Sequence, residues 1–119
     1  MGYRNDVAIK CKPNAYKMFE TILGKEIFPD KIYRHISNTH ILVWEWDKWD
    51  EEDEEVQRVT DLMDELDKLG DKDDYGYAYL RLGEDDGDVE TRSNTDELKI
   101  YVTRSIYISD SYEEVEVND

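Results

Sequence analysis

Two stretches of helical hydrophobic periodicity, set between strand-like stretches, narrow the folds that this chain can adopt. The longer stretch places apolar residues at steps of three and four from Val56 to Leu69 and stops at Gly70. The shorter one starts at Pro13, which suits the first turn of a helix, and stops at Gly24. Strand-like patterns occupy residues 4–12, 31–48, 75–82, 88–92 and 98–108.

The order of these elements predicts a single α+β domain over residues 1–109. It is β-α-β-β-α-β followed by one or two extra C-terminal strands, which is the ferredoxin-like pattern of an antiparallel sheet with two helices. Within residues 31–48, the turn-forming residues 37–39 indicate a hairpin. Residues 110–119 are acidic and have no apolar stripe, so we expect them to form a flexible tail.

Negative charge is concentrated in the part of the chain that follows residue 44. The chain has 15 basic and 31 acidic residues and a formal net charge of −16, yet residues 1–44 contain seven basic and only four acidic side chains. A charge of this size repels nucleic acid and anionic membranes and attracts cationic grooves. We therefore expect a basic protein partner, no direct binding of nucleic acid and no association with a membrane.

A dense acidic segment over residues 45–74 supplies most of the candidate binding residues. Carboxylates held on a helix and its flanking loops can present a row of negative charge to a groove that otherwise binds phosphates. Trp49 is a candidate apolar anchor within this segment, and packing at the edge of the core is its alternative role. The candidate partner-binding residues are Asp47, Trp49, Asp50, Glu51, Glu52, Asp53, Glu54, Glu55, Glu84, Asp85, Asp86 and Asp88. The simpler interpretation is that these acids solvate an exposed helix and complement its dipole.

The sequence contains no pattern that indicates catalysis or a dedicated metal site. Residues 71–76 begin like a calcium-binding loop, but the twelfth position is Leu82, where a bidentate Glu is required. The motifs G-x-S-x-G, C-x-x-C, H-E-x-x-H and the P-loop are absent. Cys11 is the only cysteine, and its place in a strand predicts a buried apolar residue. We expect a protein that is not an enzyme and that uses no cofactor or metal.

Several short motifs resemble those of small acidic proteins from phages and prophages. The chain opens with M-G-Y-R-N-D-V where many of those proteins have M-G-Y-R-S-D-V, and it continues with W-E-W-D-K-W, D-Y-G-Y and L-G-E-D. The likeness covers residues 1–105 loosely and departs from the opening motif at Asn5. It implies a phage gene product in the host bacterial cytoplasm, with a role similar to that of anti-defence proteins such as anti-CRISPR inhibitors. A single cysteine and the lack of an apolar N-terminal segment favour the same compartment.

The charge and the motifs support two hypotheses of function. In the first, the chain is a phage-encoded inhibitor that occupies the basic nucleic-acid groove of a host protein, such as a defence nuclease. In the second, it is a protein-interaction module that binds an enzyme through a sheet edge or an aromatic patch, with charge serving solubility. The first predicts binding that weakens steeply with salt, and the second predicts a weak dependence. A role in nucleotide metabolism is disfavoured because phosphates need basic or glycine-rich cradles.

Overall fold

The computed structural model describes residues 5–85, 87–98, 108 and 111–115, and within these residues the chain forms two α-helices and six β-strands. The elements are β1 (Asn5–Cys11), α1 (Pro13–Glu20), β2 (Lys31–His35), β3 (His40–Asp47), α2 (Glu54–Leu69), β4 (Tyr77–Leu82), β5 (Val89–Ser93) and β6 (Tyr112–Val115). A short 3₁₀ turn, Lys72–Asp74, follows α2. The strands form one antiparallel sheet in the order β5-β4-β1-β3-β2-β6.

Strand β1 lies inside the sheet and is covered on both faces. It pairs with β3 on one side and with β4 on the other. Val7, Ile9 and Cys11 belong to the core under the helices, whereas Ala8 belongs to a smaller core on the opposite face, and all four are fully buried. A strand covered on both faces needs apolar or small residues at successive positions, which β1 has from Val7 to Ile9.

Helix α2 packs on the same face of the sheet as α1, as its hydrophobic stripe predicts. Val59, Met63 and Leu66 are buried in the core that also contains α1 residues. The helix is preceded by Asp53, whose side chain caps it, and is followed by Gly70 at φ 73°. Glycine adopts this left-handed conformation without steric cost, so the chain can leave the helix there.

Helix α1 is shorter than the hydrophobic pattern predicts. It ends at Glu20, and the carbonyl of Ile22 then accepts hydrogen bonds from three backbone N–H groups, including that of Ile27. Gly24 has φ 75° in the resulting turn. Ile22 and Leu23 still pack against the core, but they do so from the turn. The predicted stripe contains the buried Ala15 and Phe19, but periodicity missed the buried Tyr16 and the change of backbone conformation.

The second face of the sheet carries the smaller apolar cluster. Ala8, Ile41 and Val43 are buried there, and Tyr112 and Ile108 pack against them. The strand predicted over residues 98–108 lies almost entirely outside the described residues.

We expected a flexible tail over residues 110–119, and strand β6 corrects this expectation for residues 112–115. Its four residues pair antiparallel with β2, from Tyr112 opposite His35 to Val115 opposite Ile32. The ring of Tyr112 lies 5.1 Å from that of His35, and Val115 packs against the main core. An edge strand that pairs with one neighbour needs no continuous apolar stripe, and this is why the sequence pattern did not reveal it.

The α+β class, the antiparallel sheet and the two helices are confirmed. The β2–β3 hairpin turns at the predicted place, with Asn38 at φ 66°. Strands β5 and β6 add to the four strands of the β-α-β-β-α-β order. No helix in the described residues has the length and apolar character needed to cross a membrane.

Candidate functional site

Two hydrogen bonds between backbone N–H groups and side-chain carboxylates order the acidic loop before α2. A carboxylate oxygen of Asp50 accepts a hydrogen bond of 3.0 Å from the N–H of Glu52, and one of Asp53 accepts 2.8 Å from the N–H of Glu55. Asp53 is thereby the N-cap of α2 and satisfies a donor that the helix leaves unpaired. These two acids have a local structural use, and their side chains remain exposed to solvent.

Glu55 is tied into the fold more strongly than its neighbours. Its carboxylate accepts a 2.8 Å hydrogen bond from the indole N–H of Trp44, which is fully buried, and another from the backbone N–H of Phe28. Glu55 is only half-exposed. Its carboxylate therefore anchors the start of α2 to β3 and to the loop before β2.

We expect Glu55→Ala to lower the free energy of unfolding by about 1–3 kcal/mol, because it leaves the buried Trp44 indole N–H without an acceptor. Glu54→Ala, at an exposed position in the same turn, should cost less than about 0.5 kcal/mol. Urea unfolding of the two variants measures the difference. Equal stability of the two variants would show that the Trp44–Glu55 hydrogen bond contributes nothing net.

Six exposed carboxylates form two clusters, one at each end of α2. Among the described residues, no Lys or Arg lies within ion-pair distance of any of them. The N-terminal cluster is Glu51, Glu52 and Glu54, and the C-terminal cluster is Asp71, Asp73 and Asp74. A helix of 16 residues separates the clusters by about 24 Å. The middle of α2 differs, because its exposed acids are partly neutralised by ion pairs with Arg58, Lys68 and Arg92.

A groove of about 940 Å³ runs between α2 and the strands β4 and β5. Thr60 and Asp61 of α2 form part of one wall, and Tyr79 contributes to the floor. Trp49, Asp50 and Glu51 also line the groove. The groove therefore combines side chains of α2, of the loop before it and of the two strands.

Trp49 is half-buried and packs against other aromatic rings. Its ring lies 5.2 Å from that of Trp44, edge to face, and 6.5 Å from that of Tyr79. The predicted alternative of packing at the edge of the core therefore describes its contacts. Part of the indole still lines the groove.

The second predicted acidic segment reaches the same groove through Asp88. This carboxylate forms an ion pair of 2.9 Å with Arg81 of β4, whose guanidinium also donates a 2.8 Å hydrogen bond to Asn5. The hydrogen bond to Asp88 raises the pKa of Arg81. Glu84 and Asp85 are exposed and do not line the groove. Asp86 and the Asp47 side chain lie outside the described residues.

Arg92 of β5 joins the strand edge to α2. Its guanidinium donates hydrogen bonds of 2.6 Å to Asp64 and 2.7 Å to Asp67, and Asp67 also accepts 2.8 Å from the hydroxyl of Tyr77. Burial alone would lower the pKa of Arg92, but the two carboxylates outweigh it and raise that pKa. Both arginines of the groove are therefore held charged and already paired.

Cys11 is fully buried in the core, as predicted. Burial raises the pKa of its thiol well above the ordinary value, which disfavours the thiolate that nucleophilic chemistry requires. His40 of β3 lies opposite Cys11 of β1 in the sheet. Its ring is stacked on that of Tyr16, with ring centroids 3.6 Å apart. Burial lowers the pKa of His40. Within the described residues, no three His, Cys, Asp or Glu side chains are grouped to hold a metal ion.

Phe28 and Asp61 are among the residues of this surface that the sequence-based prediction missed. Phe28 is 55% exposed and lies in a shallow depression together with Trp49 and Asp53. Asp61 lines the groove from α2. The spacing of seven residues between Glu54 and Asp61 places them on one helix face and was available from the sequence, whereas nothing local identified Phe28.

Comparisons with known proteins add no relatives to this description. A scan of family models matched none of them to the chain, and searches of curated proteins and of solved structures found no match.

Proposed function

We propose that the chain is a phage-encoded inhibitor that binds the basic nucleic-acid groove of a host protein, with the carboxylates around α2 in place of phosphates. The observation that carries this proposal is the pair of exposed acidic clusters that no described cation neutralises, held apart by a folded helix. Charges held on a folded surface bind with a smaller entropic cost than those of a disordered acidic tail. Nucleic acid presents regularly spaced charges to the same kind of groove.

The setting belongs to the same proposal. The opening M-G-Y-R-N-D-V and the other phage-like motifs support a phage origin and a role against host defence in the bacterial cytoplasm. For the fold, we infer a ferredoxin-like core, supported by the element order and by the neighbours β4-β1-β3-β2 in the sheet. A shared fold would not by itself identify the target, because one fold serves many functions.

The test combines charge reversal with a salt series. Tagged protein is used to capture partners from bacterial lysate at low and at high salt, and the captured protein is then competed with duplex DNA. We expect Glu51→Lys, Glu52→Lys and Glu54→Lys together to weaken capture about a hundredfold, since each lost contact between opposite charges costs on the order of 1 kcal/mol.

The matched control changes net charge equally at exposed sites away from α2, with Glu20→Lys, Asp96→Lys and Glu113→Lys. It should retain most of the binding. Equal loss of capture in both triple variants would show that binding depends on the net charge and not on the cluster at the start of α2. Capture that resists salt and is not competed by DNA would contradict groove mimicry.

Phe28 and Trp49 favour a second candidate function. These two aromatic residues share a depression beside the N-terminal acidic cluster, and Phe28 is largely exposed. Aromatic residues within a charged surface are frequent anchors of protein–protein binding. A module that binds an enzyme through this patch would be captured at high salt and would be lost in Phe28→Ala.

A further inference from the structure

We propose that the groove between α2 and the β4–β5 face binds an arginine side chain of the protein partner. This inference rests on the proposed function, because it assigns to one place on the surface a chemical group that a basic partner supplies. It differs from that function in naming a defined pocket and in excluding binding by charge alone.

The lining of the groove suits a planar cation, and its size leaves room for the peptide that carries that cation. Its volume of about 940 Å³ is near the upper end of the range typical of ligand pockets. Trp49, which is half-buried, supplies aromatic surface, and Asp50, Glu51 and Asp61 supply carboxylates from the loop and from α2. A guanidinium group stacks on aromatic rings and donates several hydrogen bonds in one plane, so it can use both kinds of lining.

The arginines already in the groove do not make it a site for anions. Arg81 is paired with Asp88 and Glu90, and Arg92 with two carboxylates of α2. A phosphate would have to displace these partners. Lys48 is the third lining cation and is exposed, next in the chain to Trp49 and close to Asp50. The loop carboxylates of Asp50 and Glu51 form no ion pair with a described arginine, and Asp61 forms only a long one of 4.0 Å with Arg58.

Trp49 is held in place for this role. It packs against the edge of the core through its contacts with Trp44 and Tyr79, and the residue is half-buried. A preformed aromatic surface binds a cation without the cost of ordering a mobile side chain. Arginine is favoured over lysine, because an ammonium group is more strongly hydrated and has no planar face to stack.

The test uses the whole chain and two peptides that differ only in the cation, acetyl-(Arg-Gly)₄-amide and acetyl-(Lys-Gly)₄-amide. Binding is followed at low salt by the NMR signals of the backbone and of the indole N–H groups. We expect the arginine peptide to bind about threefold more tightly or better and to shift the Trp49 indole signal. Asp61→Asn should weaken binding of the arginine peptide about threefold.

The control is Glu65→Gln, which removes the same charge from an exposed position of α2 outside the groove. It should leave peptide binding nearly unchanged. Trp49→Leu should abolish the preference for arginine, and Asp61→Asn provides a second readout if Trp49→Leu disturbs the fold.

Equal affinity for both peptides, together with equal effects of Asp61→Asn and Glu65→Gln, would overturn the arginine site. The proposed function would survive that result if the whole chain still captured a basic protein in a salt-dependent manner. Failure of both the peptide binding and that capture would overturn the proposed function as well.

Discussion

The free energy of unfolding is expected to fall steeply above pH 9. Cys11, Tyr77 and Tyr79 are buried, and burial raises the pKa of each well above its ordinary value of 9.0 for the thiol and 10.0 for the phenols. Burial also raises the pKa of Tyr16 to about 12. The folded state therefore keeps these groups neutral at a pH where the unfolded chain ionises.

The sign of this pH dependence follows from the direction of the pKa shifts. A group with a raised pKa contributes its full stabilisation below its unfolded pKa and loses it as the pH rises toward the folded pKa. Each group can remove about 1.4 kcal/mol per pH unit, so four groups together remove up to about 5.6 kcal/mol per unit well above pH 10. That is comparable to the whole stability of a small domain.

Urea unfolding at pH 7, 9, 10 and 11 and at constant ionic strength measures how the free energy of unfolding changes with pH. Tyr79→Phe keeps the ring in the core and should reduce the slope above pH 10 by about one quarter. A free energy of unfolding that stays constant from pH 8 to pH 11 would mean that these groups titrate alike in the folded and unfolded chain.

Asn94→Ala is expected to lower the free energy of unfolding by about 2–4 kcal/mol, because one amide connects three parts of the fold. Its nitrogen donates to the carbonyls of Leu66, Gly70 and Tyr75, and its oxygen accepts a 2.8 Å hydrogen bond from the N–H of Tyr77. These groups belong to the C-terminal end of α2, the loop after it and the start of β4. The alanine variant leaves all of them without this partner.

Two further variants separate the causes. Asn94→Asp keeps the acceptor for Tyr77 but places a charge against three carbonyl oxygens, so it should be at least as destabilising as Asn94→Ala. Asn14→Ala removes one hydrogen bond from an exposed side chain to the carbonyl of Asp73 and should cost about 0.5 kcal/mol. A loss below about 1 kcal/mol for Asn94→Ala would show that water replaces the amide at this position.

Local sequence signals predicted the elements that are determined locally. The stripe from Val56 to Leu69 and the terminal Gly70 predicted α2, because each buried residue of this helix recurs on one face. The end of α1 was missed because the turn after it is held by hydrogen bonds from backbone N–H groups to the carbonyl of Ile22. Hydrophobic spacing does not encode such a backbone arrangement. Strand β6 was missed because its stability comes from β2, far away in the chain.

The candidate surface was predictable in its charge and unpredictable in its shape. The density of acids around Asp50 indicated an acidic surface, and the exposure of these acids agrees with that. The groove depends on where α2 lies across the sheet, and this placement brings Asp88 and Trp49 to one cavity from distant parts of the chain. The internal role of Glu55 depends likewise on the position of the Trp44 indole.

The pairing of β6 with β2 sets an order of events during synthesis. The partners lie roughly eighty positions apart, so β2 is made long before the strand that covers its outer edge. Until residues 112–115 have left the ribosome, the backbone N–H and C=O groups on that edge have no β6 to pair with, and such an edge is a template for association with other chains. Residues 45–74, which are synthesised after β2 and before β6, carry dense negative charge, and nascent chains that repel one another are expected to pair edge to edge more slowly.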